Sequence, residues 1–212
     1  TQCGCTDIMM HTMERYFNMS ENMELTDGIS EALIKTVMKH SKILKEHPDC
    51  YESRAEVMWA SSLSHNDLTG CGTDGGDWAC HQLEHEIGGM FDVAHGAGLA
   101  AVWGSWARYV YKARPERFAK FARNIFNIQE TDDEKAAVAG IEAMENYYRS
   151  VGMPTSLCEL GIHATEEQIK EMADKCSFYG KRTVGVMKKI GAPEAAEIYR
   201  MANDKSIPLY SR

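Results

Sequence analysis

No stretch of this chain comes near the ~18 uninterrupted apolar residues that a membrane-spanning helix needs. The longest weakly polar run, Val93 to Trp106, contains His95, three glycines and Ser105, and reads as a buried helix. No membrane partner is expected. Positive charge is also scarce: 23 Lys and Arg against 31 Asp and Glu give a net −8. Nucleic acid is not an expected partner either, because phosphate contacts demand clustered Lys and Arg. Lys112, Arg114, Arg117, Lys120 and Arg123 are interleaved with apolar residues and read as a solvated helix face. The seven cysteines are scattered, with no C-x-x-C pair and no secretory leader pattern. The expectation is reduced thiols in a cytoplasmic protein, all seven packed as small hydrophobes. Alternating strand segments, internal repeats and low-complexity tracts are missing as well.

What is present is helical periodicity. At 212 residues, 44% hydrophobic and 25% charged, the chain has the composition of a soluble domain with a sizeable core. Ile8, Met9, Met13, Tyr16 and Phe17 fit a first helix ending near Asn18. Thr26-Asp27 reads as the cap of a long second helix through Leu33 and Val37, stopped by Pro48. Tyr51 to Leu63 reads as a third, with Ala55, Met58, Trp59 and Ser62 facing inward. A glycine-rich loop, Thr69 to Gly76, leads into a helix over 77–90; a turn over 92–98 and a helix over 99–111 follow. Pro115 opens a helix ending near Asn127, and Thr131 to Glu134 forms a capping box for a helix reaching Val151. Thr165 to Gln168 caps another, and Pro193 starts the last. The fold class expected is all-α, a bundle of about eight or nine helices.

The chemistry concentrates in two places. DWACHQLEHEIGGMFDVAHGAGLA holds His81, His85 and His95, and GCTDIMMHTMERYF holds Asp7 and His11 four residues apart. Residues i and i+4 of a helix share a face, so Asp7/His11 form one pincer and His81/His85 another. His95 sits at a glycine-flanked turn from which it can reach the preceding helix. One carboxylate and three or more imidazoles suit Fe²⁺ or Zn²⁺ rather than Mg²⁺ or Ca²⁺. Buried imidazoles in such number need partners, and a metal ion supplies one. His40, His47, His65 and His163 read as surface or capping residues. His81 to His85 also matches H-x-x-E-H, the inverted zinc-protease motif, with Glu84 as general base; that reading leaves Asp7, His11 and His95 unexplained. A di-iron bundle needs repeated Glu-x-x-His patterns, and none occurs. A helical metal-binding module without turnover remains the alternative to an enzyme.

DVAHGAGLAAVWGSWARYV, with HQLEH and GCTDIMMHTMERYF upstream, resembles the iron-containing (group III) alcohol dehydrogenases, in their branch of butanol dehydrogenases and NADPH-dependent aldehyde reductases. The family has two halves: an N-terminal α/β half for the nicotinamide cofactor and a C-terminal helical half, of the dehydroquinate synthase-like kind, for the metal. The resemblance covers the whole chain, 1–212, as the second half. It implies metal ligation by Asp7, His11, His81 and His95. It places His85 beside the metal as a proton relay rather than a ligand, and takes Glu84 out of the ligand set. It further implies Fe²⁺ (or Zn²⁺), NADP(H) or NAD(H) carried by the N-terminal half, a small alcohol or aldehyde substrate, and a homodimer for the whole protein. Thr73 to Trp78 is where helical-half contacts to the nucleotide would fall, and Trp78, Met90 and Phe91 are candidates for the substrate side. Gly104-Ser105 stands where the family often has Pro-Ala, a departure that touches no ligand. The absent initiator Met and a ligand pattern beginning at residue 7 fit a C-terminal portion of a longer protein, whose glycine-rich phosphate loop lies elsewhere and whose other half the isolated chain needs for activity.

Overall fold

A computed structural model describes residues 1–203, and among these nine α-helices carry the architecture. They are α1 (Gln2–Tyr16), α2 (Glu24–Glu46), α3 (Tyr51–His65), α4 (Ala79–Phe91), α5 (His95–Val110), α6 (Pro115–Phe126), α7 (Asp133–Ser150), α8 (Glu166–Cys176) and α9 (Ala192–Asn203). The one β feature among the described residues is an isolated antiparallel bridge, Val184 to Ile190. Among the described residues no helix is long and apolar enough to cross a membrane.

Two helices form the centre. From Gly98 to Ala107 every residue of α5 is buried, which fits a run of small and aromatic side chains that is apolar on all faces. α1 is buried almost continuously from Thr12 to Tyr16, and its Phe17 stacks on Phe118 of α6, ring centroids 4.3 Å apart. α5 packs on α1, α4, α7 and α9, while α2 and α3 cover the outer side of α1. α6 and α7 form a close antiparallel pair; a methyl on Gly140 would meet the Ala122 methyl at 2.5 Å, so glycine is needed there.

Several expectations hold to the residue. Pro115 is the first residue of α6. Thr165 and Gln168 form a reciprocal capping box on α8, each side chain bonding the other's backbone N–H. Others are corrected. α2 begins at Glu24, two residues before Thr26, and Asp27 is no cap: it is buried and pairs with Arg117. Arg117 is therefore not on a solvated face; its guanidinium grips both Asp27 oxygens at 2.5 and 2.6 Å, and Lys120 adds a third bond at 2.5 Å. The cap of α7 is Asp132, accepting from Lys135 N–H, one residue beyond Thr131.

The inner face of α3 is Ser53, Ala60 and Ser64, with Val57 partly covered, whereas Ala55, Met58, Trp59 and Ser62 face outward. Trp59 is 64% exposed. Small side chains let α3 lie close to α1 and α2, and that rotation turns its large apolar ones out. Of the cysteines, only Cys5, Cys80 and Cys176 are buried, and Cys71 is exposed.

Candidate metal centre

α1, α4 and the start of α5 meet where Asp7, His11, His81 and His95 converge. The approach is set by glycines. Gly76 holds φ +86° and lies so close to α1 that a methyl on it would sit 2.5 Å from the Glu14 carbonyl. Asp77 N–H then donates to that same carbonyl at 2.8 Å, which starts α4 beside Glu14. Asp77 in turn accepts from Val186 and Met187 N–H, tying the loop before α9 to this corner. Burial pushes its carboxyl up to about 6. At the other side, Gly96 packs directly on the backbone of Cys3, and Gly98 leaves room for the Glu84 carboxyl. His95 is thus the first residue of α5, not part of a turn. Its neighbouring glycines serve close helix approach.

Three imidazole Nε2 atoms face one carboxylate oxygen. Asp7 Oδ1 lies 3.4 Å from His81, 3.4 Å from His95 and 3.7 Å from His11. Asp7 Oδ1 and His81 Nε2 are buried without a hydrogen bond, as is His11 Nδ1. Two donors held ~2.1 Å from a tetrahedral ion are themselves about 3.4 Å apart. The donor set, its spacing and its unpaired buried atoms therefore fit a divalent cation.

The opposite edge of each imidazole is fixed. His81 Nδ1 bonds the Glu14 carboxyl, which is fully buried and also accepts from the His81 backbone N–H. His95 Nδ1 bonds the Glu84 carboxyl. Each carboxyl accepts from Nδ1 and turns Nε2 toward Asp7, the arrangement that orients metal-binding histidines. Burial opposes charge on His81, but Asp7 and Glu14 outweigh it and lift the imidazole to about 9. Burial, then His81 and His65, hold His11 down to about 4.

Glu84 is 1% exposed and occupied by His95, so it has no face toward solvent from which to activate water as a protease base. His85 lies on the exposed edge, its ring stacked on His95 with centroids 5.7 Å apart. Burial and the neighbouring His81 and His95 lower its pKa. Trp78 takes a left-handed backbone (φ 59°) and lays its ring 5.3 Å from both His11 and His81, with Arg15 4.9 Å over its face. Its indole N–H donates to Gly75 at 2.6 Å. Met90 and Phe91 lie at the far end of α4, half-buried against the hydrophobic core. Three residues escaped sequence reasoning: Glu14, Glu84 as a histidine partner, and His65, whose Nε2 is 3.7 Å from Asp7 Oδ2. Glu14 falls seven residues after Asp7, two turns along α1, which was the available signal.

Residues 1–202 match the family described as Fe-containing alcohol dehydrogenase, C-terminal. The chain is 36% identical over 202 residues to NADH-dependent butanol dehydrogenase A of Clostridium acetobutylicum, covering 94% of this chain and 51% of that protein. It is 30% identical over 200 residues to the NADPH-dependent aldehyde reductase YqhD of Escherichia coli, covering 94% and 51%. The crystal structure of NADH-dependent butanol dehydrogenase A from Thermotoga maritima superposes with a TM-score of 0.90 at 35% identity, over 96% of this chain and 52% of that one. The chain spans about half the length of the relatives it matches. It belongs to the Fe-containing alcohol dehydrogenase family and corresponds to that family's C-terminal helical part.

Proposed function

We propose that this chain is the metal-binding half of an iron-dependent, NAD(P)-linked alcohol dehydrogenase acting on small primary alcohols and aldehydes. Asp7, His11, His81 and His95 are the ligands, with Fe²⁺ the preferred ion and Zn²⁺ the alternative. The observation that carries this reading is the convergence of three Nε2 atoms on the unpartnered Asp7 Oδ1. Bound there, the ion supplies Lewis-acid polarisation of a substrate oxygen, while a nicotinamide on the N-terminal half supplies or accepts hydride.

The chain's own residues do the rest. Glu14 and Glu84 hold His81 and His95 in the tautomer that leaves Nε2 free. Trp78 covers one side and limits water there, and the loop over 73–78 is the surface offered to the nucleotide. His85, neutral at pH 7 because its pKa lies below the ordinary histidine value, stands on the exposed edge to accept a proton at a ring nitrogen. Met90 and Phe91 are placed on the substrate side only if the N-terminal half folds against the end of α4. The whole enzyme is a cytoplasmic homodimer in this reading.

The test is elemental analysis and turnover together. The purified chain is expected to hold one equivalent of Fe²⁺ or Zn²⁺ and to lose it in His81→Ala. The chain alone is expected not to reduce butanal with NADH or NADPH. Turnover by the chain alone would refute the need for the other half, and undiminished metal in His81→Ala would refute the ligand set.

A further inference from the structure

His65 ends α3 and reaches the metal cluster beside His11 and Asp7 of α1. Its ring lies against His11, centroids 4.0 Å apart, and its Nε2 is 3.7 Å from Asp7 Oδ2. The tautomer is set by its other nitrogen. Nδ1 is 3.0 Å from the Ser61 carbonyl, which can only accept, so Nδ1 carries the proton. Ser64 Oγ, 2.7 Å away, closes the same edge. With the proton on Nδ1, the Nε2 lone pair points at a carboxylate oxygen. Two acceptors facing each other repel unless a cation lies between them. His81 and His95 show the same arrangement, each with Nδ1 tied to an acceptor and Nε2 turned to Asp7. The donor atoms of Asp7, His11 and His65 all lie within 4.8 Å of one another, and so do those of Asp7, His81 and His95, two sets that share Asp7.

We propose that His65 is a fifth protein ligand of the divalent ion, occupying the coordination position that a substrate oxygen must take. This rests on the reading of the cluster as a metal centre. A catalytic centre needs an open position, and a closed set of protein ligands describes a structural one. His65 is the ligand suited to leave: its side chain is 39% exposed and, unlike the equally exposed His95, it is held by no buried carboxyl. Its departure moves one ring and no backbone. The centre is thus closed at rest, and substrate opens it by displacing His65.

Cobalt(II) reports this directly, because its visible absorption strengthens and shifts when the coordination number falls. The full chain loaded with Co²⁺ is compared with His65→Ala and His65→Gln, with His47→Ala as an exposed control. Circular dichroism confirms that each variant is folded. Both His65 variants are expected to bind one equivalent of Co²⁺ with a stronger, shifted spectrum, and the control to match the parent. Azide serves as an exogenous ligand. If His65 holds the position about nine-tenths of the time, its removal tightens azide binding roughly tenfold. Unchanged spectra and azide affinity in both His65 variants would overturn the assignment. So would two bound equivalents in the parent falling to one, which would give His65 an ion of its own. Asp7→Asn and His81→Ala separate the two layers. If they abolish Co²⁺ binding while His65→Ala is silent, only the fifth ligand is refuted. If they leave binding intact, the metal centre itself is refuted.

Discussion

Glu14→Gln is the perturbation that isolates the buried support of the cluster from its ligands. Glu14 is fully buried, and its carboxyl accepts from both His81 Nδ1 and the His81 backbone N–H, the latter at 3.2 Å. Glutamine keeps the shape but has one acceptor oxygen, so one of those two donors is left facing an NH₂ group. A charge-assisted bond of this kind contributes about 1.5–3 kcal/mol. Outer partners of metal-binding histidines typically carry about 10–100-fold in affinity, or about 1.4–2.7 kcal/mol, and the two ranges overlap. Glu14→Gln is therefore expected to weaken Zn²⁺ or Co²⁺ binding by about 10–100-fold while stoichiometry stays at one. Competition against a chromophoric chelator measures this, with the exposed Glu56→Gln as control. Glu84→Gln should act similarly through His95. Affinity within about twofold of the parent, well under that range, in a folded Glu14→Gln chain would refute the reasoning. The imidazole would then hold its orientation without the carboxyl.

The remaining expectations concern the frame around the site. Asp27→Asn leaves Arg117 buried and poorly paired, and urea unfolding should show a loss of about 3–5 kcal/mol. Burial raises the Asp27 pKa, but Arg117 and Lys120 outweigh it and the net shift is downward from 3.8. Its stabilising contribution is accordingly complete above pH 3.8 and disappears as pH falls through the lower folded value, so Asp27→Asn should flatten the acid limb of stability against pH. Trp59→Gln, on the outward face of α3, should change stability by no more than about 0.5 kcal/mol, whereas the fully buried Trp103→Ala should cost about 3–5 kcal/mol in the same titration. Gly96→Ala puts a methyl onto the Cys3 backbone beside His95; calorimetry should show about 1–3 kcal/mol of strain, and chelator competition a weaker ion.

The helices were legible because burial imposes a 3.6-residue period, and local stops such as Pro115 and the Thr165 box act within one turn. What was illegible depends on partners distant in the chain. Asp27 reads as a cap until Arg117, ninety positions on, claims it. Trp59 reads as core by its apolar identity, yet the small residues Ser53, Ala60 and Ser64 decide how α3 lies on its neighbours. The same division runs through the site. Asp7, His11, His81, His85 and His95 stand out by type and spacing; the structure brings Asp7, His11, His81 and His95 together and leaves His85 on the exposed edge. His65 has no companion at i±4 and meets Asp7 only because α3 folds across α1. Glu84 reads as a base because its spacing fits a protease motif, yet its partner is His95, on the next helix.

The most direct measurement is anomalous diffraction from crystals of the metal-loaded chain, collected on both sides of the iron and zinc absorption edges. One peak is expected within about 2.0–2.2 Å of an Asp7 carboxylate oxygen and of imidazole nitrogens from His11, His81 and His95. Crystals that hold metal by elemental analysis, yet place the peak away from Asp7, would contradict the metal centre.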